Sequence, residues 1–257
     1  MTAKLTFLGT GGGRFVTSRQ IHATGGWILK MDNEMLHIDP GPGALVRAKQ
    51  YKVDLSKLTG ILVSHCHPDH YTDAKVVIEA MTQGTTKKKG VLLTNETIIN
   101  GLEPEFVSFF SKYHLSALEK YKILKPKDKT NIGKIEITAT KTIHGDPKGI
   151  GFIFKGSSTI GYTSDGEYFN GLGKQFSDCD YLILNLLRPR NSEWPKHMNS
   201  RDAVKILKEV KPKLAILQHF GFLMMNGIAE KEGKWIEKES GIKTIVAKDG
   251  QSVCSLF

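Results

Sequence analysis

The sequence is poor in cysteine and has no long apolar segment. Its three cysteines, Cys66, Cys179 and Cys254, are odd in number and far apart, so we expect no disulfide framework. No stretch reaches the roughly 18 uninterrupted apolar residues that a membrane-spanning helix needs. The first residues lack the apolar core and the small-residue cleavage site of a signal peptide. These absences predict a cytoplasmic protein that does not enter a membrane.

Familiar catalytic and nucleotide-binding motifs are also absent. The chain has no Gly-x-Ser-x-Gly segment that would present a serine nucleophile, and no cysteine forms a convincing pair with a histidine. The glycine-rich segment 8–14 follows a strand-like run, but Arg14 stands where the dinucleotide-binding fingerprint has glycine. We therefore interpret this segment as a tight loop whose backbone can approach a functional site closely.

Length and charge narrow the class of protein. The 257 residues are 40% apolar and 24% charged, which is typical of a soluble globular protein and predicts one domain spanning 1–257. The net charge of +10 comes mostly from lysine. It suits a small anionic substrate or RNA, although a lysine-rich surface that only serves solubility gives the same count. The sequence leaves a homodimer open.

Strand-like and helix-like runs alternate along the chain. Strands are predicted at 4–9, 27–31, 35–39, 60–63, 90–94, 135–140, 151–155, 159–163, 181–185, 214–218, 243–247 and 251–256. Helices are predicted at 42–51, 72–82, 105–121, 200–210 and 223–239. We expect Phe106, Phe109, Phe110 and Tyr113 to form the core face of helix 105–121. The alternative is that the insertion 84–133 covers the functional site.

Three of the nine histidines lie within six consecutive residues, directly after an apolar strand-like run. In an extended stretch, residues two positions apart point to the same side, so His65 and His67 can reach one metal ion together. Cys66 points the other way, and we expect it to pack. The proline that follows re-aims Asp69 and His70 towards a second position. Imidazole and carboxylate bind zinc and other divalent ions, so the segment predicts two neighbouring metal sites.

Further candidate residues each follow a strand-like run, where the run gives way to a polar or glycine-bearing loop. In chain order they are Asp39, His144, Asp165 and His219. Strand ends are where a sheet-based scaffold presents functional groups. One such residue would be an ordinary loop residue, whereas a set of them together with the histidine-rich segment favours a shared site.

These residues resemble a known pattern. Residues 65–70 match the H-x-H-x-D-H motif of the metallo-β-lactamase superfamily, and the other candidates occur in that family's order over almost the full length. The opening Leu8-Gly9-Thr10-Gly11 is similar to the ribonuclease Z and cyclic-phosphodiesterase branch rather than the antibiotic-hydrolysing one. The resemblance implies an α+β fold, a four-layer αβ/βα sandwich of two mixed β-sheets flanked by helices.

The resemblance also implies a site with two divalent metal ions, zinc being expected and manganese or iron the alternatives. The ligands it implies are His65, His67 and His144 for the first ion, Asp69, His70 and His219 for the second, and Asp165 between them. Asp39 would hydrogen-bond a ligand or the metal-bound water. A hydroxide that bridges the ions would be the nucleophile. Asp69, Asp39 and His197 are the residues expected to take part in catalysis.

His197 precedes the helix that leads to the last candidate ligand. In ribonuclease Z-like enzymes a histidine placed similarly contacts the scissile phosphate, where an imidazole donor stabilises developing charge. The alternative is a surface histidine in a helix-entry loop. Arg14, Arg19 and His22 in the first long loop are candidate substrate-binding residues, since arginine suits a bidentate phosphate contact. Arg188 either lines the same cleft or is solvated.

The function predicted is that of a dinuclear metal-dependent hydrolase that cleaves a phosphodiester, either a small cyclic one or RNA. The same metal centre can hydrolyse a lactone, thioester or amide, which is the main alternative. Less favoured are a di-iron redox protein, which typically has glutamate at the position of His67, and a non-catalytic binding relative, which would have lost ligands. The chain lacks the Gly-Pro-rich arm that grips tRNA, so tRNA processing does not follow from the resemblance.

Overall fold

A computed structural model describes residues 3–254, so the last two positions of the strand predicted at 251–256 lie outside the described residues. The strands within this range are β1 (Lys4–Phe7), β2 (Trp27–Met31), β3 (Glu34–Ile38), β4 (Gly60–Val63), β5 (Val91–Thr94), β6 (Lys120–Ile123), β7 (Lys129–Ile132), β8 (Ile135–Lys141), β9 (Ile150–Lys155), β10 (Thr159–Tyr162), β11 (Tyr181–Asn185), β12 (Leu214–Gln218), β13 (Thr244–Val246) and β14 (Ser252–Cys254). The helices are α1 (Arg14–Arg19), α2 (Ala44–Gln50), α3 (Pro68–Tyr71), α4 (Ala74–Met81), α5 (Glu96–Asn100), α6 (Lys112–Ser116), α7 (Ser200–Val210) and α8 (Ile228–Ser240). None of the helices in residues 3–254 is both long and apolar enough to span a membrane.

The strands form two mixed sheets. The first has the order β14-β1-β2-β3-β4-β5-β6, and the second has the order β13-β12-β11-β10-β9-β8-β7. Strands β3 to β6 pair in parallel, as do β10 to β13, whereas the remaining pairs are antiparallel. Parallel strands need crossover connections, and α4, α5 and α7 lie in such connections.

The sheets pack face to face with helices outside. The inner faces share one apolar cluster, in which Trp27 of the first sheet lies edge-on to Phe154 of the second, 5.8 Å between ring centres. The outer face of the first sheet is covered by α2 and α4, and that of the second by α7 and α8. The predicted four-layer αβ/βα sandwich is therefore confirmed.

The helix predicted at 105–121 is wrong. Only Lys112–Ser116 is helical, and Lys120–Ile123 is a strand that pairs in parallel with β5. The aromatic residues pack from an extended segment instead: the Phe109 ring contacts Tyr71 at 4.4 Å, and Phe110 is buried. Tyr113 is 59% exposed, so it is not part of a core face. Contacts with the outer layer of the first sheet outweigh the helical spacing of these residues.

Two smaller differences concern element starts. Helix α1 was not predicted, because the Gly13 before it offers no side-chain cap. The helix predicted at 223–239 begins only at Ile228, since Phe222–Met224 forms a separate 3-10 turn.

Candidate metal centre

The centre lies at the carboxyl ends of strands from both sheets. Asp39 follows β3, His65 comes two residues after the end of β4, Asp165 follows β10 and His219 follows β12. Parallel neighbours in a sheet end at the same edge, so side chains from separate parts of the chain meet there. This arrangement explains why the candidates were spread over 180 positions of sequence, from Asp39 to His219.

The structure brings the seven candidate ligands together in two groups. Within each group, one nitrogen or oxygen atom per side chain lies within 4.8 Å of the others. The first group is His65, His67, His144 and Asp165, and the second is Asp69, His70 and His219. These are the two sets that the sequence predicted, with Asp165 placed in the first.

Asp165 faces both groups with one oxygen. Its Oδ2 lies 3.8 Å from Nε2 of His65 and 3.8 Å from Nε2 of His144. The same oxygen lies 3.5 Å from Nε2 of His70 and 3.2 Å from Nε2 of His219. A carboxylate between two sets of imidazoles occupies the position from which it can contact two cations at once.

Local backbone geometry separates the two groups. His65 and His67 leave β4 in an extended stretch, and Pro68 then starts α3 at a position that suits proline. The turn of α3 carries Asp69 and His70 to the second group. Asp69 is held there by the Gly13 amide, which donates to its Oδ2 at 3.0 Å.

Asp39 hydrogen-bonds the histidine-rich segment 64–70 and holds it in place. Its carboxylate accepts four hydrogen bonds: from the Ser64 amide and hydroxyl at 2.7 Å each, from Tyr162 at 2.7 Å and from Nδ1 of His70 at 2.9 Å. Because Nδ1 of His70 donates to this carboxylate, Nε2 is the ring nitrogen that faces the centre. Nε2 of His70 lies 3.1 Å from Nε2 of His219.

Asp146 is a further buried carboxylate at the centre, and the sequence pattern does not predict it. It accepts hydrogen bonds from the Cys66 amide at 3.1 Å, from Asn95 at 2.7 Å, from Thr97 at 2.8 Å and from the Lys148 amide at 2.9 Å. It thereby ties the segment of His65 and His67 to the loop that carries His144. It lies two residues after a candidate ligand, but that spacing alone does not distinguish it from a solvated loop residue. Cys66 itself is buried, as predicted.

Asn185 was also missed, although it is a polar residue that ends the otherwise apolar strand β11. Its Nδ2 donates to Oδ1 of Asp165 at 2.7 Å, and its Oδ1 accepts from Gln218 at 2.9 Å. The amide therefore holds the Asp165 carboxylate with Oδ2 turned towards the histidines.

The donor set fits divalent cations. Nε2 of His65 is buried and has no hydrogen-bond partner within residues 3–254, which is costly unless a cation occupies the space in front of it. Burial lowers the pKa of His65, of His67 to about 4, and of His144, so these imidazoles are neutral and their lone pairs are available. Burial opposes the ionisation of Asp165, but His219 and His70 lower the pKa of its carboxyl overall. Neutral imidazoles around ionised carboxylates suit zinc and related ions.

A cleft of about 590 Å³ opens onto both groups. Its floor includes His67, Asp69, His144 and Asp165, and its rim carries the cations Arg14, Arg188 and Lys196 together with aromatic side chains of Phe15, Trp194 and Phe222. The cleft-lining residues within 3–254 include none from the insertion 84–133, so the structure does not place that insertion over the centre.

His197 lies on the cleft side of the centre. Its Nδ1 is 3.8 Å from Oδ2 of Asp165, and its ring stacks on His219 with 6.2 Å between centres. Burial lowers the pKa of His197 to about 4, against the opposing attraction of Asp165. The imidazole is therefore neutral, and neither of its ring nitrogens makes a hydrogen bond within the described part of the chain.

The three predicted substrate-binding residues are placed differently from one another. Arg14 lines the cleft. Arg19 is exposed and lies over the ring of Phe15, 5.8 Å from its centre. His22 hydrogen-bonds the hydroxyl of Thr10 at 3.1 Å and is not among the cleft-lining residues.

Known proteins share this sequence pattern and fold. Residues 35–220 match the family model described as the beta-lactamase superfamily domain. An uncharacterised protein of Methanocaldococcus jannaschii is 41% identical over 257 aligned positions, covering 98% of this chain and 95% of its own. The probable metallo-hydrolase YhfI of Bacillus subtilis is 28% identical over 91% of this chain and 93% of its own. Ribonuclease Z of Thermococcus sibiricus is 31% identical over 59% of this chain and 47% of its own.

Solved structures agree on the fold. The crystal structure of YhfI, described as a metallo-beta-lactamase fold protein, superposes with a TM-score of 0.82 at 23% identity. The superposition covers 99% of this chain and 100% of the YhfI chain. A diphosphatase from the PhnP family superposes with a TM-score of 0.73 at 19% identity, covering 99% of this chain and 97% of its own. With the match over residues 35–220, the chain belongs to the metallo-β-lactamase-fold hydrolases of the beta-lactamase superfamily, with ribonuclease Z among its relatives.

Proposed function

We propose that the protein is a dinuclear metal-dependent phosphodiesterase. The observation that carries this proposal is the position of His197, a neutral imidazole 3.8 Å from the carboxylate that faces both ligand groups. The histidine lies at the floor of a cleft whose rim cations are free to attract an anionic substrate. A donor at that place would also serve lactone or amide hydrolysis, and the cationic rim is what favours an anionic phosphodiester.

The relatives support the same chemistry. Ribonuclease Z cleaves RNA by its name, and the PhnP-family protein is named a diphosphatase, so both act on phosphorus–oxygen bonds. The cleft volume of about 590 Å³ suits a small phosphodiester, or the end of an RNA strand that enters one nucleotide at a time. The positive net charge of the chain favours either substrate.

Each ligand has a role in this proposal. His65, His67 and His144 would hold one ion, Asp69, His70 and His219 would hold the other, and Asp165 would be available to either. Zinc is the proposed metal because the set is rich in imidazole nitrogen. When bound, the ions acidify a water to supply the nucleophile and polarise the phosphoryl group.

The remaining residues orient the ligands and move a proton. Asp39 orients His70, and Asn185 orients Asp165, through one hydrogen bond each. The His197 imidazole donates a hydrogen bond to a phosphoryl oxygen or to the departing alkoxide, where charge develops in the transition state. The orientation of the His144 ring is fixed by its Nδ1, which donates to the Lys196 carbonyl at 2.8 Å. Lys196 is the residue before His197.

A substrate panel tests the proposal. Metal-free protein is reloaded separately with zinc, manganese and iron, and hydrolysis of bis(p-nitrophenyl) phosphate, a lactone and a β-lactam is measured. We expect metal-restored cleavage of the diester and little of the other two. Cleavage of the lactone or β-lactam without the diester would contradict the proposal and assign the centre to acyl-group hydrolysis.

A further inference from the structure

Among the described cations that line the cleft, Arg188 is the one with a buried nitrogen that lacks a hydrogen-bond partner. It lies three residues beyond the end of β11 and lines the cleft. Its Nε atom is buried and has no hydrogen-bond partner within residues 3–254, and no carboxylate there forms an ion pair with its guanidinium. The residue is half-buried, and burial lowers the pKa of its guanidinium. Such a group gains most from an anion that the protein itself does not supply.

The neighbouring Arg190, by contrast, has an ion-pair partner. Arg190 lies two positions further along the same turn, and its Nε is 3.5 Å from a carboxylate oxygen of the buried Glu232. Its guanidinium also lies over Trp235, 4.7 Å from the ring centre. Arg190 is therefore a structural ion-pair residue, whereas Arg188 faces the cleft with its donors free.

The guanidinium of Arg188 is held in a defined orientation. It lies over the ring of Trp194, 4.6 Å from the ring centre, and Trp194 itself is 53% exposed at the cleft. The Arg188 backbone is bridged to Asn199, and the Trp194 carbonyl accepts from the His197 amide at 3.2 Å. Stacking on an aromatic face fixes the plane of the guanidinium while its edge donors remain available for a bidentate contact.

We propose that Arg188 binds an oxyanion of the substrate that lies outside the scissile bond, namely a second phosphoryl group or a carboxylate. The proposal rests on the phosphodiesterase function above. The scissile group belongs with His197 and the two ligand groups, and Arg188 shares no hydrogen bond or ion pair with any of them. The cleft, at about 590 Å³, has room for far more than one phosphate. The substrate is thus a phosphodiester with an additional anionic group.

Calorimetry on the metal-loaded protein tests this subsite without turnover. The probes are thymidine 5′-monophosphate, thymidine 3′,5′-bisphosphate, and the 5′-monophosphate with a 3′-O-carboxymethyl group. We expect one or both of the probes with a second anionic group to bind about 10- to 100-fold more tightly than the monophosphate, as for a charge-assisted hydrogen bond. The stronger of the two identifies the oxyanion. Equal binding of all three probes would overturn the proposal.

Variants separate the subsite from the rest of the cleft. Arg188→Gln should bind the three probes equally, while Arg188→Lys should keep part of the preference because it retains the charge without the planar fork. Arg47→Gln is the matched control, since Arg47 is half-buried on α2, outside the cleft, and its side chain hydrogen-bonds Gln50. If Arg188→Gln weakens all three probes by one common factor, Arg188 serves the shared 5′-phosphate or the fold, and the proposed subsite is wrong.

A kinetic comparison distinguishes failure of the subsite from failure of the proposed function. The substrates are the p-nitrophenyl esters of thymidine 5′-phosphate with and without a 3′-phosphate. If both esters are cleaved with equal kcat/KM, the subsite fails and the phosphodiesterase function stands. If neither ester is cleaved, yet Arg188 still selects the bisphosphate in calorimetry, the proposed function fails and the anion site stands.

Discussion

Three buried carboxylates serve the centre in different ways. Asp165 turns one oxygen towards the histidines, whereas Asp39 and Asp146 use their oxygens to hold backbone amides and side chains around it. The sequence predicted Asp39 because it follows a strand and fits the family's order. It did not predict Asp146 or Asn185, since a single polar residue in a loop or at a strand end carries no spacing that distinguishes support from ordinary solvation.

Replacing Asp39 by Asn tests its role as the residue that orients His70. The amide would donate where the carboxylate accepts four hydrogen bonds, so His70 would lose the partner of its Nδ1. We expect metal affinity to fall by about 10- to 100-fold while the fold persists, as measured by metal content and circular dichroism. Tyr162→Phe is the control, because it removes one donor and leaves the His70 contact intact. Full metal occupancy in Asp39→Asn would refute this role.

Asp146→Asn tests the tie between the two ligand-bearing loops. The side chain is buried and accepts four hydrogen bonds, so an amide there leaves at least one buried donor without a partner. We expect unfolding free energy to fall by roughly 2 to 4 kcal/mol in urea titrations of the metal-free protein. Thr97→Val, which removes one of the four donors, should cost less than half as much. An unchanged unfolding free energy would show that the tie does not stabilise the fold.

Strands inside the sheets can be predicted from the sequence, whereas the edge strands β6 and β7 cannot. Apolar strands inside the sheets, such as β4 and β12, were predicted at their observed bounds. Strands β6 and β7 were not, because each lies at a sheet edge and reads as a lysine-rich polar segment. Lysine on an edge strand discourages pairing with other chains. It also weakens the alternation of apolar and polar residues by which a strand is predicted. The wrong helix at 105–121 has the same origin, since it ran into β6.

The loop between β1 and α1 reaches the centre because it is made of glycine. A Cβ on Gly12 would lie 2.3 Å from ring atoms of His219. We therefore expect Gly12→Ala to displace His219 and to lower affinity for one of the two ions by about 10-fold or more, measured by metal titration. Gly84→Ala, where a Cβ meets nothing within 4 Å, should cost only backbone strain and keep both ions. Unaltered metal binding in Gly12→Ala would show that this contact is not needed.

At the scale of the whole molecule, the apolar layer between the first sheet and its outer helices also buries a polar group, since His37 pairs with Ile28 and Ile61 of that layer. His37 in β3 is fully buried; its Nε2 donates to the Gly25 carbonyl at 2.8 Å, and its Nδ1 has no partner within residues 3–254. Burial lowers the pKa of His37 to about 4. The unfolded chain, with a histidine pKa of about 6.5, then binds more protons than the folded one between these values. Stability therefore decreases as the pH falls through this window.

His37→Gln isolates this contribution, because glutamine can donate to the same carbonyl but cannot take up a proton. In metal-free protein, we expect the decline of unfolding free energy between pH 6.5 and 5 to be shallower in the variant by about 1.4 kcal/mol per pH unit at most. His67 and His197, whose pKa values are also lowered by burial, keep part of the slope in both proteins. The raised pKa of His70 acts above this window, where its stabilisation is lost with rising pH. Identical slopes in urea titrations would exclude His37 as a source of acid sensitivity.

The most direct test of the proposed phosphodiesterase function is turnover of bis(p-nitrophenyl) phosphate by His197→Ala, with metal content measured on the same sample. His114→Ala is the matched control, since the side chain of His114 hydrogen-bonds only Ser111 and Glu79 within residues 3–254. We expect two ions per chain in both variants and a loss of about 10²- to 10⁴-fold in kcat for His197→Ala alone. A His197→Ala variant that keeps both ions and the full rate would contradict the assignment of this centre to phosphodiester cleavage.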